Sequence, residues 1–196
     1  MRNLVAIALL WMSFPAVAAA QSVEIGLSVG WSVLSNRSLG SLSDFEAGLQ
    51  LANIDNGLRI GGRLSSNRLF TGHEMSYSYQ RTNLKIGSAR PEGMTVQNLY
   101  YNFVVHATPE GTIVRPFGTV GAGVSTFFPP GVSSLSGGGA NKFGYNYGGG
   151  LKFKLNEKFG LRFDVRDHVT GKPFGLPNSS GRLHNTEYST TFALLF

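Results

Sequence analysis

Residues able to carry acid–base or nucleophilic chemistry are few in this 196-residue chain, and most stand alone. His168 follows Asp167 and precedes Thr170 by two positions, while Ser179 and Ser180 come in the next loop. Hydrolysis of an acyl bond would need such a hydroxyl within hydrogen-bonding reach of a base. The remaining three histidines have no clustered partner in the sequence and predict no metal site: His73, His106 and His184. Cysteine is absent, which excludes thiolate chemistry and disulfides.

Charged residues recur at every second position, a spacing that indicates strands. Arg162, Asp164, Arg166 and His168 share one face of their segment, and Phe159, Leu161, Phe163 and Val165 form the other. If the sheet closes, the same alternation places a set of charges inside: Glu24, Arg59, Arg63, Glu74, Arg115, Lys152, Lys154, Arg162, Asp164, Arg166 and Glu187. Both signs are present, and a lone buried charge is costly. We therefore expect ion pairs that fill the lumen, with a gated ion path as the alternative.

The elements that position these charges are long alternating segments. In the last one, Tyr188, Phe192, Leu194 and Phe196 lie on one side. Each segment runs for about ten residues, which suits a tilted strand crossing a bilayer, whereas strands of soluble sandwiches more often have about five or six. The sequence therefore predicts an all-β fold, a closed antiparallel eight-stranded up-and-down transmembrane β-barrel.

The eight predicted strands are listed here in chain order: 23–33, 57–65, 73–84, 95–107, 113–126, 142–155, 159–169 and 185–196. Tight turns at 66–72, 108–111 and 156–158 alternate with longer connections at 35–56, 87–93, 127–141 and 170–183, which is typical of outer-membrane barrels. Phe45, Ala47, Leu49 and Leu51 also alternate. We interpret them as a β extension of the first outer loop, and a ten-stranded barrel remains the alternative.

The N-terminus resembles a secretory signal. Arg2 precedes an apolar stretch, and Ala18 and Ala20 form the small-x-small pattern that signal peptidase recognises. We expect residues 1–20 to be removed and residues 21–196 to form the barrel domain. An uncleaved anchor is the alternative, although the apolar stretch is short for a spanning helix.

Composition supports a surface that partly faces lipid. Only 14% of residues are charged, while 12% are aromatic and 26 are glycine. The net charge of +6 comes from scattered basic residues, which argues against nucleic acid and favours contact with anionic lipopolysaccharide. Aromatic residues near the strand ends predict two interfacial girdles: Trp31, Tyr77, Tyr79, Tyr101, Phe127, Phe128, Tyr145, Phe159 and Tyr188. Inward glycines leave room for long side chains: Gly26, Gly30, Gly61, Gly121, Gly123, Gly148 and Gly150.

Several motifs carry a resemblance to a known family: Tyr188–Phe196, Arg115–Gly118, Gly121–Gly123, Gly148–Leu151 and Leu161–Asp167. With them the chain resembles the small outer-membrane β-barrel domain family that includes OmpA-like and OmpX-like barrels. The resemblance implies a bacterial outer-membrane protein, often monomeric, without cofactor, metal or shared catalytic residues. It also implies that Tyr188, Phe192, Leu194 and Phe196 form the signal read by the outer-membrane assembly machinery.

Three classes of function follow. The first is a non-enzymatic barrel that supports envelope integrity or surface interaction through its outer loops, with an unidentified surface ligand. The second is a small pore or an enzyme that modifies lipid A. An enzyme is disfavoured because the chain has no His-x-Ser arrangement and alternation points His168 inward. The third is a soluble, ligand-binding barrel, which extraction without detergent would reveal.

Overall fold

The fold is a single antiparallel sheet that closes on itself. The computed structural model describes residues 22–44, 48–132 and 138–196, so the predicted signal peptide with Ala18 and Ala20 lies outside the described residues. Its strands are β1 (Ser22–Ser35), β2 (Ser38–Asp44), β3 (Gly48–Ile54), β4 (Gly57–Arg68), β5 (Thr71–Ile86), β6 (Glu92–His106), β7 (Val114–Phe128), β8 (Ala140–Lys154), β9 (Phe159–Gly171) and β10 (Arg182–Leu195). No helix in these ranges is long and apolar enough to cross a membrane.

Eight of the strands form the ring. Their order is β1, β4, β5, β6, β7, β8, β9 and β10, and β10 pairs back to β1. Every pairing is antiparallel between neighbours in this ring. The predicted closed eight-stranded up-and-down barrel is therefore confirmed.

β2 and β3 form a hairpin above the ring and are not further strands of the barrel wall. Within the ring, β3 pairs only with the end of β5, with Ala52 opposite Ile86 and Ile54 opposite Leu84. The described residues thus form ten strands, eight of them in the ring. The ten-stranded barrel is therefore wrong, and β2 and β3 are the predicted β extension of the first outer loop. Of the residues that suggested it, Phe45 and Ala47 lie outside the described residues.

The ring strands are longer than the sequence suggested, from 12 residues in β4 to 16 in β5. The turn expected at 66–72 is reduced to Leu69 and Phe70, because Arg68 still pairs with Thr71. We call the end of the barrel that holds this turn and the start of β1 the inner end. The other, the outer end, carries the longer connections and the β2–β3 hairpin.

The barrel is apolar outside and polar inside. Leu27 and Phe143 are each 75% exposed on the outer wall, whereas Arg166 and Glu187 are 1% exposed. This arrangement is the reverse of that in a soluble protein, and it suits a barrel whose outer wall faces hydrocarbon. Most of the predicted girdle residues lie on that wall, but Phe127 and Phe128 are 2% and 6% exposed, so the prediction was wrong for both. Phe127 has the inward parity of β7, and the ring of Phe128 packs against Gly139.

Buried apolar side chains close the outer end of the lumen. We call this cluster the apolar cap: Leu34, Leu39, Ala52, Ile54, Met94, Val96, Phe127 and Leu183. It combines ring strands with the β2–β3 hairpin, and Phe174 and Leu176 of the connection from β9 to β10 pack against it. The hairpin therefore folds over the mouth, since its Leu39, Ala52 and Ile54 are buried in this cluster.

Candidate functional site

The lumen contains a cluster of ion pairs, which we call the ionic cluster: Arg59, Arg63, Glu74, Arg162, Asp164, Arg166 and Glu187. All seven side chains are 5% exposed or less. Arg63 Nη1 lies 2.7 Å from Asp164 Oδ2, and Arg59 Nη1 lies 2.5 Å from Glu187 Oε1. Glu74 Oε2 lies 2.6 Å from Arg162 Nη1, and Glu74 Oε1 lies 2.7 Å from Arg166 Nη1. Because Glu74 and Glu187 each contact two guanidinium groups and Asp164 contacts three, the cluster is one connected network.

The cluster spans the width of the lumen. Glu74 is on β5 and both its arginines are on β9, and these strands stand opposite each other in the ring. Asp164 and Glu187, on neighbouring strands, are joined through Arg63 of β4, whose Nη2 lies 3.3 Å from Glu187. An eight-stranded barrel is just wide enough for such side chains to meet. The cluster therefore crosses the middle of the lumen.

Two of the inward glycines make this crowding feasible. A Cβ added to Gly148 would lie 2.8 Å from the Cα of Arg166, and one on Gly150 would lie 2.8 Å from the Cα of Asp164. A real Cβ does not approach backbone so closely. The glycines of β8 thus let β9 come near enough to project its charges into the middle of the lumen.

The other predicted lumen charges lie nearer the inner end and are held differently. Lys152 Nζ donates to Glu24 Oε2 at 2.8 Å and to Asn67. Arg115, 6% exposed, donates from Nη2 to the carbonyl oxygen of Leu69 at 2.7 Å. Lys154 is exposed at the end of β8. Within the described ranges neither Arg115 nor Lys154 has a carboxylate partner, which differs from the expected pairing throughout the lumen.

Neutral polar side chains fill the space between the ionic cluster and the apolar cap. Asn146 donates to Asn102 at 2.8 Å, and Asn185 donates to Gln80 at 2.8 Å. His168 is 4% exposed and meets the ring of Tyr100 edge-on at 4.7 Å. Its side chain points inward, as the alternation predicts, and away from the wall where acyl chains would lie.

Sequence reasoning missed an acid–base pair on the outer wall. His184 Nδ1 lies 2.6 Å from Asp167 Oδ2, and the Tyr147 hydroxyl donates to the same oxygen at 3.1 Å. The expectation that His184 has no clustered partner was wrong, and so it was for His73, which is 2.6 Å from the Tyr101 hydroxyl. These contacts join different strands, so only the register between strands could have revealed them. Among the described residues no group of three candidate metal ligands occurs.

The four residues of the predicted assembly signal lie on the outer wall. Tyr188, Phe192, Leu194 and Phe196 are between 41% and 71% exposed. Phe192 also stacks on Phe159 of β9, with ring centroids 5.4 Å apart. The last strand therefore presents Tyr188, Phe192, Leu194 and Phe196 on its outward face, with Thr190 between the first two.

Comparison with known proteins identifies the family. A model described as the outer membrane protein beta-barrel domain matches residues 4–196. The chain belongs to the outer membrane protein beta-barrel domain family. The resemblance drawn from the sequence is thereby confirmed, as is the location in the bacterial outer membrane. Because short turns of such barrels face the periplasm and longer loops face the exterior, we expect the inner end to face the periplasm and the outer end the exterior.

Several solved structures are similar to this chain at low sequence identity. Neisserial surface protein A is 10% identical with a TM-score of 0.58, over 90% of this chain and 97% of that one. The N-terminal barrel of Pseudomonas aeruginosa OprF is 16% identical with a TM-score of 0.47, over 88% and 96%. Ail of Yersinia pestis, solved with the heparin analogue sucrose octasulfate, is 15% identical with a TM-score of 0.48, over 89% and 99%. No curated protein matches in sequence.

Proposed function

We propose that this outer-membrane barrel is a closed, non-enzymatic protein that acts in envelope integrity or surface interaction through its outer loops. The observation that carries the proposal is the double obstruction of the lumen. The ionic cluster crosses the barrel between opposite strands, and the apolar cap fills the outer mouth. With both in place, solutes have no continuous aqueous route, and the outer loops are the surface left to act.

A pore is the alternative that electrical recording tests. The purified protein, reconstituted into planar bilayers, is expected to give no large, steady conductance at neutral pH. Large and steady channels would refute the closed lumen.

Two of the outer connections are hydrogen-bonded to each other, which favours recognition because less ordering entropy is lost on binding. Ser41 N donates to the Pro177 carbonyl oxygen at 2.9 Å, and Asn178 Nδ2 donates to Ser41 Oγ at 2.9 Å. These bonds join the β2–β3 hairpin to the connection between β9 and β10. Replacing 172–181 by a glycine–serine segment of equal length should leave a heat-modifiable barrel. The variant should fail to restore the envelope or surface-binding phenotype that is lost when the protein is absent from the cell. A phenotype unchanged by this replacement would show that the loops are not the acting part.

Lipopolysaccharide is the partner we propose for the outer end. Arg182 lies over the ring of Tyr145, with Cζ 5.5 Å from its centroid, and donates to its hydroxyl at 3.0 Å on the exposed wall. A cation beside an interfacial tyrosine suits a lipid phosphate. Arg182→Gln should reduce the lipopolysaccharide that copurifies, whereas Lys158→Gln in an inner turn should not. Equal amounts in both variants would oppose the assignment.

Lipid A modification is the alternative that the Asp167–His184 pair invites. The pair offers a base on the correct wall, but no hydroxyl group of the described residues hydrogen-bonds to Nε2 of His184. Without a nucleophile in contact, we expect no acyl hydrolysis. Mass spectra of lipid A should be the same with the wild type, His184→Ala and His168→Ala. Deacylated lipid A that depends on either histidine would establish an enzyme.

We further propose that the C-terminal strand is the assembly signal and that cleavage precedes Gln21. Phe196 and Phe143 are 71% and 75% exposed on the same wall, which makes them a matched pair. Phe196→Ser should lower the amount of folded barrel in the outer membrane much more than Phe143→Ser. Equal losses would mean that apolar area alone matters. N-terminal sequencing of the membrane form tests the cleavage position.

A further inference from the structure

A cavity of about 190 Å³ lies in the lumen at the periplasmic end, beneath the ionic cluster. We call it the vestibule. It exists because small residues line one side, among them Gly26, Gly160 and Ala193. Arg115, Lys154 and Arg162 line it as well. The volume is equivalent to about six waters at liquid density. The ionic cluster closes the side of the vestibule that faces the middle of the lumen. The vestibule is therefore a blind pocket that opens at the inner end of the barrel.

The charges buried in the lumen do not balance. Six cationic side chains are buried: Arg59, Arg63, Arg115, Lys152, Arg162 and Arg166. In the described part of the chain they face four carboxylates, those of Glu74, Asp164 and Glu187 together with Glu24, the partner of Lys152. Arg115 is the one of these six for which no carboxylate of the described residues lies within ion-pair distance. A buried charge without a counterion is costly, so the excess favours an anion that enters from outside.

The unmatched charge faces the vestibule. Arg162 also lines the vestibule, but it is already paired, since its Nη1 donates to Glu74 and its Nη2 lies 3.7 Å from Asp164 Oδ2. Arg115 donates from Nη2 to the Leu69 carbonyl oxygen and has no carboxylate within ion-pair distance among the residues described. The exposed Lys154 lines the same cavity and also lacks a carboxylate partner in the described ranges. Two cationic side chains without a counterion therefore line one cavity, which favours an anion there.

We propose that the vestibule is a binding site for a small oxyanion, a carboxylate or phosphate group, held by Arg115 with Lys154 at the rim. Guanidinium groups bind such anions through paired, charge-assisted hydrogen bonds. Glu110 and Glu157 of the periplasmic turns also line the mouth.

Calorimetry on the intact protein tests the site. The barrel is extracted in a non-ionic detergent, freed of lipopolysaccharide, and titrated separately with inorganic phosphate and with acetate. Ionic strength is held constant with the sodium salt of a bulky sulfonate. The wild type is expected to bind at least one of the two probes saturably, with one site per chain. Arg115→Gln should raise the Kd at least tenfold, because a hydrogen-bonded charge is lost.

Two matched pairs of variants separate the site from a general charge effect. Lys154→Gln should weaken binding, whereas Lys172→Gln, which removes the same charge at the outer end, should not. Ala193→Leu fills the vestibule without changing any charge and should abolish binding, while Ala122→Leu on the outer wall should leave it intact. The proposal is overturned if neither probe binds saturably, or if the variants of each pair bind equally. Heat-modifiability verifies that each variant is folded.

Discussion

Removal of the charge on Glu74 is the most direct test of the ionic cluster. Glu74 is 1% exposed and accepts hydrogen bonds from Arg162 at 2.6 Å, Asn102 at 3.3 Å and Ser65 at 3.4 Å, with Arg166 Nη1 at 2.7 Å. Glu74→Gln preserves the shape of the side chain but leaves Arg162 and Arg166 without that carboxylate. Its new amide group must also face a guanidinium group, which can only donate.

The expected loss follows from the burial of this carboxylate. Breaking a buried ion pair by removing one partner costs about 3–5 kcal/mol, because the other charge stays buried. Glu74 serves two arginines, but Asp164 still contacts both, at 3.7 Å and 2.9 Å, and limits the damage. We therefore expect a decrease of about 3 kcal/mol in the free energy of unfolding, or more than a hundredfold in the equilibrium constant.

Urea unfolding in phospholipid vesicles measures this change. Trp31 of β1, 50% exposed on the outer wall, reports the loss of the barrel by fluorescence. Glu92→Gln is the control, since Glu92 is an exposed carboxylate at the start of β6 and should change stability by less than about 0.5 kcal/mol. Adding Arg162→Met to Glu74→Gln should cost less than the sum of the two single changes, because the second removes a charge that the first orphaned. If Glu74→Gln is as stable as Glu92→Gln, the cluster does not stabilise the lumen and the reasoning fails.

Three further predictions concern the wall, the close strand contact and the cap. Leu27→Arg, at a position 75% exposed on β1, should destabilise the barrel in bilayers by about 2–4 kcal/mol. Leu51→Arg, in the hairpin above the membrane, should cost far less. Equal costs in vesicle unfolding would contradict the lipid-facing wall. Gly150→Ala should cost about 1–3 kcal/mol by pushing against Asp164, while Gly118→Ala, whose added Cβ would be 4.0 Å from the nearest atom, should be neutral in the same assay. Phe127→Ala should cost about 3–5 kcal/mol by emptying the apolar cap, and an unchanged unfolding midpoint would show that the cap contributes no stability.

Alternation in the sequence predicted which face of each ring strand meets hydrocarbon, because the period of a strand is fixed by backbone geometry. It therefore placed Arg162, Asp164 and Arg166 inside. It could not say that Glu74 reaches two arginines on the opposite strand, since such contacts depend on closure and stagger of the whole ring. The same limit explains why the Asp167–His184 contact was missed.

Strand ends were the other weak point, for a physical reason. Above the membrane the outer face no longer needs to be apolar, so β5 continues to Ile86 without the hydrophobic signal that marks its middle. Phe127 and Phe128 resembled girdle residues because aromatic side chains are common at interfaces. In this chain the β2–β3 hairpin folds over that end, and it provides an apolar environment inside the mouth that local sequence does not reveal.

The hydrogen bonds between Ser41 and the segment around Pro177 connect two outer segments of the molecule. Segments more than 130 positions apart in the chain share one hydrogen-bonded seam. A substitution that suits one segment must also suit the other, so the two are expected to vary together rather than separately. Anyone grafting a foreign epitope here should exchange both segments as a pair, because replacing one alone leaves its neighbour without the support that shapes it.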